Sequence, residues 1–263
     1  MKNMKILASD LDGTLVQHRN KILDRDIQGL KQLKNKGHKF VICTGRTYNG
    51  VEGLIDKYNI DYDYLVLCNG GFIVNRDQEV ILDEWIDEEY VSRIADEFCN
   101  HPNVIMFLDD SKKTLVLKNN EMSEEKFNEI LEGFIQEIEV KDKQDFIRRC
   151  KTMCLFYVDN DIVNAQKIKD DIYNKYGSSV EVFRNQCFID IVPIGCSKGE
   201  GLLRVLAREG LSQEDLYVVG DSFNDISMFN VTDNSYTFNN VEEGVKSLAN
   251  NIIEHVCDIV ESM

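Results

Sequence analysis

The chain has few basic residues for its size, and this deficit limits its partners. It carries 30 Lys and Arg residues against 46 Asp and Glu residues, for a formal charge of −16 at pH 7 and a pI near 4.7. Nucleic acids and anionic membrane surfaces repel so acidic a protein. We therefore expect neither as a partner, and a site that binds phosphate must supply its own positive charge.

Long apolar runs and paired cysteine motifs are also absent. No run approaches the roughly 20 residues that span a bilayer, and we expect no secretory signal, because the first residues lack its apolar stretch and cleavage site. The eight cysteines include no Cys-x-x-Cys motif, and Cys43 and Cys68 lie in apolar runs, where a thiol packs as a small hydrophobic group. Cys150 and Cys154 are close in sequence, but no His or further Cys nearby completes a redox or metal site. We expect reduced thiols and a cytoplasmic location.

The apolar residues follow two different patterns along the chain. A length of 263 residues suits one large or two moderate domains, and the chain has only two prolines, no internal repeat and no long linker. Residues 6–83 alternate buried strands with amphipathic helices, with strands at 6–8, 39–43 and 64–68 and helices at 24–36 and 51–58. This alternation predicts a parallel sheet covered by helices. Ligands of such sheets lie beyond the carboxyl ends of the strands, where Asp10, Thr44 and Asn69 fall.

The second pattern begins near residue 84, where helices alternate with pairs of strands. The apolar residues predict helices at 91–98, 127–134 and 162–176, and strands at 104–108, 114–117, 153–158, 180–183 and 187–192. Such a pattern is typical of an antiparallel sheet with helices on one face. The first pattern then resumes with a helix after Ser197 and a strand at 216–219. We predict one domain from residues 1–83 and 191–263, with residues 84–190 inserted as a second domain.

Residues 10–15, Asp-Leu-Asp-Gly-Thr-Leu, follow the first predicted strand and carry the strongest chemical signal. Asp10 and Asp12 point to the same side of an extended chain, and Gly13 lets the backbone turn tightly after them. One carboxylate can act as a nucleophile while the other donates a proton, if a cation offsets their repulsion. The motif therefore indicates phosphoryl transfer through an aspartyl phosphate, although Asp-Gly and Asp-x-Asp also occur in ordinary turns.

Two further stretches offer groups that bind phosphate. Thr44-Gly45-Arg46 puts a hydroxyl and backbone N–H groups at a strand end ahead of a helix, which makes a phosphate cradle or, more simply, a helix cap. Lys198 lies in the first turn of a predicted helix, where the helix dipole disfavours a cation. Its position therefore requires either solvent or an anion.

The stretch Gly220-Asp221-Ser222-Phe223-Asn224-Asp225 indicates a cation site. Asp221 stands at a strand end, and an amide and a second carboxylate follow one helical turn later, which is a set of hard oxygen ligands. Ser222 and Asp225 also fit a capping box. Asp225 is therefore interpreted equally as a helix cap and as a residue just behind the metal ligands, whereas Asp221 has no comparable structural explanation.

In this order, the motifs resemble those of the haloacid dehalogenase superfamily of phosphotransferases, specifically the Cof-like type IIB phosphatases. The matching motifs span nearly the whole chain: Asp-Leu-Asp-Gly-Thr-Leu, Thr-Gly-Arg, Cys-Asn-Gly-Gly, Ser-Lys-Gly-Glu-Gly-Leu and Gly-Asp-Ser-Phe-Asn-Asp. The resemblance implies an α/β fold in which a Rossmann-like parallel-sheet core carries an inserted α/β cap domain.

The resemblance also implies a role for each motif residue. Asp10 would be the nucleophile and a Mg²⁺ ligand, Asp12 the general acid/base with its backbone carbonyl on the metal, and Asp221 the third ligand. The phosphate would be held by Thr44, Lys198, Asn224 and the backbone of Leu11 and Gly45. Candidates for contacts to the leaving group are Arg46, Arg184 and Asn185, with solvated surface the simpler interpretation of the last two.

The expected function is a magnesium-dependent phosphatase of small phosphorylated metabolites, with sugar phosphates as the expected class. A phosphohexomutase of similar fold and a phosphometabolite-binding regulator with little activity are the alternatives, and nothing in the sequence specifies an oligomeric state. Residues 235–241 depart from the small-residue stretch that related chains carry there. This departure leaves the contacts of that segment open.

Overall fold

The computed structural model describes residues 4–16, 21–111, 113–118, 122, 123, 125, 127, 143–158 and 161–263. In chain order its strands and helices are β1 (Ile6–Ser9), α1 (Asp24–Asn35), β2 (Lys39–Cys43), α2 (Tyr48–Tyr58), β3 (Tyr64–Leu67), β4 (Phe72–Asn75), β5 (Val80–Asp83), α3 (Glu88–Phe98), β6 (Val104–Asp109), β7 (Thr114–Lys118), α4 (Lys143–Arg148), β8 (Thr152–Tyr157), α5 (Ile162–Tyr176), β9 (Val180–Asn185), β10 (Phe188–Pro193), α6 (Lys198–Glu209), β11 (Leu216–Val219), α7 (Ile226–Phe229), β12 (Ser235–Phe238), α8 (Glu243–Lys246), β13 (Asn251–Ile253) and α9 (Cys257–Ser262). Of the helix predicted at 127–134, all but Phe127 lies outside the described residues.

Contacts along the chain separate two compact units. The first unit contains Met1–Arg46, Val51–Asp83 and Cys196–Met263, and the second contains Thr47–Gly50 and Glu84–Gly195. The second unit extends past the predicted boundary at residue 190 because strand β10 continues to Pro193. Within the described part of the chain, no helix combines the length and the apolar character needed to cross a membrane.

The first unit is built on an eight-stranded sheet in the order β13-β12-β11-β1-β2-β3-β4-β5. The strands from β13 to β3 pair in parallel, as predicted, whereas β4 and β5 add an antiparallel edge that the sequence pattern did not predict. The central strands β1, β2, β3 and β11 are almost wholly buried apolar runs, because helices cover both faces of a parallel sheet. This confirms the predicted α/β class.

The register of the central strands aligns their carboxyl ends. Ser9, the last residue of β1, lies opposite Val219 of β11 on one side and Ile42 of β2 on the other. The residues that follow these three strands therefore emerge at one edge of the sheet. Helix α6 begins after Ser197, whose side-chain oxygen accepts a hydrogen bond from Glu200 N at 3.1 Å.

The second unit contains a five-stranded antiparallel sheet in the order β7-β6-β8-β10-β9, as the strand pairs predicted. Helices α3 and α5 pack on it through a buried apolar cluster that includes Val91, Ile94, Leu155 and Ile172. All eight cysteines of the chain are free thiols, and Cys150 is buried.

Candidate active site

Four stretches that are far apart in sequence meet at the aligned strand ends of the first unit. Asp10 directly follows β1, and its backbone N–H donates to Val219 O at 2.9 Å, which holds the loops after β1 and β11 together. Thr44 follows β2, and Asp221 comes two residues after β11. Lys198 is the first residue of α6. The predicted site residues of these stretches therefore share one location.

A buried ion cluster lies at the centre of this location. Lys198 Nζ is 2.6 Å from Asp10 Oδ1 and 2.6 Å from Asp225 Oδ1, and none of the three side chains is more than 3% exposed. Lys198 is thus neutralised by carboxylates rather than by solvent, which rules out the solvent interpretation of its position. A buried lysine held between two carboxylates is a fixed positive charge beside the predicted nucleophile.

Burial and charge act against each other on these groups. Burial raises the pKa of the Asp10 carboxyl well above its usual range. Lys198 offsets this rise only in part, and the charges of Asp225, Asp221 and Asp12 add to it. Burial lowers the pKa of Lys198, but Asp10 and Asp225 outweigh it and raise the pKa overall. Lys198 therefore stays protonated, and it favours the ionised carboxylate that a nucleophilic Asp10 needs.

Asp221 completes a group of carboxylates. Oxygen atoms of Asp10, Asp221 and Asp225 lie within 4.8 Å of one another. Thr14 Oγ1 donates to Asp221 Oδ1 at 2.7 Å, and Gly13 must be a glycine here, since a Cβ on it would lie 2.4 Å from Asp221 Oδ2. Burial, followed by the charge of Asp225, raises the pKa of Asp221 to about 6.

The donor set fits a hard divalent cation such as Mg²⁺. Carboxylate oxygens are the ligands such ions prefer, and Asp10 Oδ2 is a buried oxygen with no hydrogen-bond partner among the described atoms. Asp12, the other predicted ligand, was assigned through its backbone carbonyl, so its side chain is not expected in the cluster.

Asp225 makes the contacts of a capping residue and also binds Lys198. Its Oδ2 accepts the backbone N–H groups of Asp221 and Ser222, both at 2.9 Å, while its Oδ1 binds Lys198. A Cβ on Gly220 would lie 2.3 Å from the Asp225 carboxyl carbon, so a side chain there would displace it. Asp225 therefore caps the turn and also orients the loop that carries Asp221.

Arg46 contacts Asp12. Its Nε donates to Asp12 Oδ2 at 2.7 Å and its Nη2 to Asp12 Oδ1 at 2.6 Å, a bidentate pair in which the Asp12 side chain is 40% exposed. Arg46 thus holds the predicted general acid/base in this structure. Arg184, a weaker candidate, is buried in the second unit and donates to Gln166 Oε1 and to the Gln186 carbonyl. The solvated-surface interpretation of Arg184 is therefore wrong.

The remaining phosphate candidates lie beside the ion cluster. Thr44 is buried, and its hydroxyl oxygen accepts the Arg46 backbone N–H at 3.2 Å. Asn224 Nδ2 donates to Asn69 Oδ1 at 3.1 Å, and both side chains are buried. Asn69 was not among the predicted site residues, although the Cys-Asn-Gly-Gly motif and its place at a strand end were the available signals.

Comparison with known proteins identifies the family of the chain. A family model described as haloacid dehalogenase-like hydrolase matches residues 7–260. The Escherichia coli pyridoxal phosphate phosphatase YbhA is 24% identical over 95% of this chain and 93% of its own length. The Bacillus subtilis 5-amino-6-(5-phospho-D-ribitylamino)uracil phosphatase YwtE is 26% identical over 92% and 90% of the two chains.

Two solved structures have the same fold as this chain. The subclass IIB sugar phosphatase BT4131 superposes with a TM-score of 0.79 at 25% identity, covering 99% of this chain and 98% of its own. The structure of SMU.1108c from Streptococcus mutans gives a TM-score of 0.84 at 23% identity, covering 99% and 98%. The chain belongs to the haloacid dehalogenase-like hydrolases, in the Cof-like type IIB group that its motifs indicate, and is a phosphoric monoester hydrolase of that family.

Proposed function

We propose that the enzyme hydrolyses small phosphomonoesters, mainly sugar phosphates, through an aspartyl phosphate on Asp10 and with Mg²⁺ as cofactor. The observation that carries this proposal is the state of the Asp10 carboxylate. One oxygen is bound by Lys198 Nζ at 2.6 Å, and the other is buried with no hydrogen-bond partner among the described atoms. A buried carboxylate with one oxygen fixed and the other open is oriented for attack, whereas a purely structural carboxylate would have both oxygens hydrogen-bonded.

Asp10, Asp221 and the backbone carbonyl of Asp12 are the proposed Mg²⁺ ligands. Asp225 is proposed to lie behind these ligands instead of binding the metal directly, because its two oxygens bind Lys198 and two backbone N–H groups. Bound there, Mg²⁺ would offset the negative charge of the carboxylates and of the phosphoryl group.

The chain's own residues account for the proton and charge movements. The Asp10 carboxylate attacks phosphorus, and Asp12 donates a proton to the alcohol oxygen as its bond to phosphorus breaks. Asp12 then takes a proton from the water that attacks the aspartyl phosphate, which releases phosphate and regenerates Asp10. Lys198 lowers the repulsion between the attacking carboxylate and the phosphoryl group throughout.

The phosphoryl oxygens are proposed to be bound by Thr44, Lys198, Asn224 and the backbone N–H groups of Leu11 and Gly45. Arg46 is proposed to contact the leaving group as well as Asp12, and then one of its two bonds to Asp12 must open. The second unit, Thr47–Gly50 and Glu84–Gly195, is proposed as the cap that selects the substrate. The free thiols of all eight cysteines support a cytoplasmic location.

The test is phosphate release from a panel of phosphorylated sugars and an aryl phosphate, with and without Mg²⁺. Asp10→Asn should lower kcat by about 10⁴-fold or more, because it removes the nucleophile. Asp233→Asn, an exposed carboxylate in the same unit, is the matched control and should leave kcat unchanged. Release that persists in Asp10→Asn or needs no metal would contradict the mechanism. Interconversion of sugar phosphates without release would identify a phosphohexomutase, and metal binding without turnover a regulator.

A further inference from the structure

The turn Cys68–Gly70 connects the segments that are proposed to bind phosphate. It directly follows β3, and its backbone contacts the segment after β2 twice. Cys68 N donates to Arg46 O at 3.0 Å, and Asn69 N donates to Thr44 O at 3.0 Å. The position of this turn therefore determines where the segment from Thr44 to Arg46 lies.

The same turn also packs against the start of α6. Gly70 has a φ of +97°, and a Cβ on it would lie 2.1 Å from the carbonyl oxygen of Ser197. Ser197 is the capping residue of α6, and Lys198 is the first residue of that helix. Only a glycine allows this close approach, so the turn and the residue before Lys198 are in direct contact.

The side chain of Asn69 reaches a third segment. It is fully buried, and its Oδ1 accepts a hydrogen bond from Asn224 Nδ2 at 3.1 Å. Asn224 Oδ1, by contrast, is buried with no hydrogen-bond partner among the described atoms. The buried Asn69 Nδ2 has a partner of its own, which fixes the orientation of the Asn69 carboxamide. The contact with Asn69 therefore decides which way the Asn224 carboxamide faces, since the reverse orientation would place two carbonyl oxygens against each other.

This orientation suits the binding of an anion. A carboxamide nitrogen carries two hydrogens, and only one of them is used by Asn69. The second can bind a phosphoryl oxygen, whereas a carboxamide turned the other way would offer an acceptor that repels it. The backbone at Asn69 is left-handed, with φ 48° and ψ 39°, and among residues with a side chain Asn tolerates that conformation best.

We infer that Asn69 is a positioning residue for phosphate binding and that it acts through the carboxamide of Asn224. This inference rests on the proposed function, in which Asn224 binds the phosphoryl group. Asn69 does not contact the substrate itself. It holds one hydrogen of Asn224 so that the other remains available to the phosphate.

Asn69→Gly tests the inference without disturbing the backbone, because glycine adopts the left-handed conformation readily. We expect KM for an aryl phosphate and the Kd of orthophosphate, measured by calorimetry, to rise about tenfold, the effect of one lost charge-assisted hydrogen bond. Asn59→Gly is the matched control, since Asn59 is an exposed asparagine with a φ of 50° in the same unit. It should change neither constant.

A double-mutant cycle separates positioning from a general structural role. If Asn69 acts through Asn224, Asn69→Gly should change the orthophosphate Kd less than about twofold in an Asn224→Ala background. Equal effects in both backgrounds would overturn the inference, as would an unchanged Kd in the single variant.

Failure of the proposed function gives a different result. A wild type that binds orthophosphate but releases none from any ester would contradict the proposed hydrolysis, while the binding cycle would still decide the role of Asn69. A wild type that binds no orthophosphate would overturn the inference about Asn69.

Discussion

The two units bury polar groups in different ways. In the first unit Asp10, Lys198 and Asp225 are buried together, and the Lys198 ammonium is paired with both carboxylates. In the second unit the buried Asp109 is held by nearby donors, with Ser111 N at 2.6 Å and the Thr114 hydroxyl. One arrangement holds carboxylates from distant segments with a buried cation. The other satisfies a buried carboxylate with neutral donors, which include the Thr47 hydroxyl at 3.3 Å.

Strand direction explains this difference. In a parallel sheet all carboxyl ends lie at one edge, so the segments after β1, β2 and β11 meet. In an antiparallel sheet the carboxyl ends of neighbouring strands lie at opposite edges. The first unit is thus suited to assemble a charged multi-residue site at one edge, whereas the sheet of the second unit has no single edge at which its carboxyl ends meet. Three predictions test this contrast.

The largest expected effect follows removal of the cation shared by the buried carboxylates. Lys198→Met should lower the free energy of unfolding by about 3–5 kcal/mol, because it leaves Asp10 and Asp225 buried without a balancing charge. Urea denaturation at pH 7 measures this change. Lys167→Met, an exposed lysine of the second unit, should stay within about 0.5 kcal/mol of wild type. If the two variants lost comparable free energy of unfolding, the buried ion cluster would not distinguish the first unit from the second.

The second prediction concerns the pH dependence of Asp109. Burial raises the pKa of Asp109 to about 6 from its ordinary value of 3.8. The folded protein therefore binds a proton that the unfolded chain has lost, and this group's contribution to stability falls as pH rises from about 4 to about 6. The contribution of Asp109 to the free energy of unfolding should fall by about 2–3 kcal/mol in all, and this fall should be complete above pH 6.

Comparison with Asp109→Asn isolates this group from the other carboxylates, including its neighbour Asp110. The stability of the variant minus that of wild type should increase by about 2–3 kcal/mol between pH 4 and pH 6, whatever its value at pH 4. Urea denaturation at several pH values provides the measurement. A difference that is constant across this range would show that Asp109 titrates normally.

The smallest expected effect involves Thr237 in the segment that departs from the pattern of related chains. The structure shows part of this segment as strand β12, and the buried Thr237 hydroxyl donates to Gly220 O at 2.8 Å, directly before Asp221. Thr237→Val should cost about 1 kcal/mol of stability through this lost hydrogen bond. It should also raise the Mg²⁺ concentration needed for half-maximal activity, because the loop carrying Asp221 loses a contact.

Thr232→Val is the matched control for this last change. The Thr232 hydroxyl donates to Leu216 O at 2.9 Å, at the opposite end of the same strand, β11. We expect a somewhat larger loss of stability, measured by thermal unfolding, because the Thr232 hydroxyl also accepts the Asn234 N–H at 3.1 Å. The Mg²⁺ requirement should not change. An altered Mg²⁺ requirement in both variants would indicate a general effect on β11 instead of a local one at Asp221.

The central strands could be predicted from the sequence because they are buried on both faces. Continuous apolar runs identified β1, β2, β3 and β11, and helix periodicity identified α1, α3 and α5. Strands β4, β5, β12 and β13 were missed. They form the two ends of the sheet, and β5 is partly exposed, with Val80 at 53%, so they lack the continuous buried apolar run of the central strands. Short edge strands do not produce a long alternating pattern.

The motif residues themselves could be predicted because each follows a strand or begins a helix. Asp10, Thr44, Lys198 and Asp221 were chosen on that basis, and the structure brings them together, while their roles remain predictions. Asn69 was missed as a contact of Asn224 because 155 residues separate the two. Its signals were the short Cys-Asn-Gly-Gly motif and its place at a strand end, and neither of them specifies a partner.

The sequence by itself determined the family, the α/β class and the residues that stand at strand ends, because these depend on local periodicity and on short motifs. Only the tertiary structure decided which groups pair there. Lys198 binds Asp10 across 188 residues, and Arg46 binds Asp12. The Arg46–Asp12 pairing follows from the register of β1 and β2. The Lys198–Asp10 pairing also requires α6 to begin against the turn Cys68–Gly70, and local patterns encode neither contact.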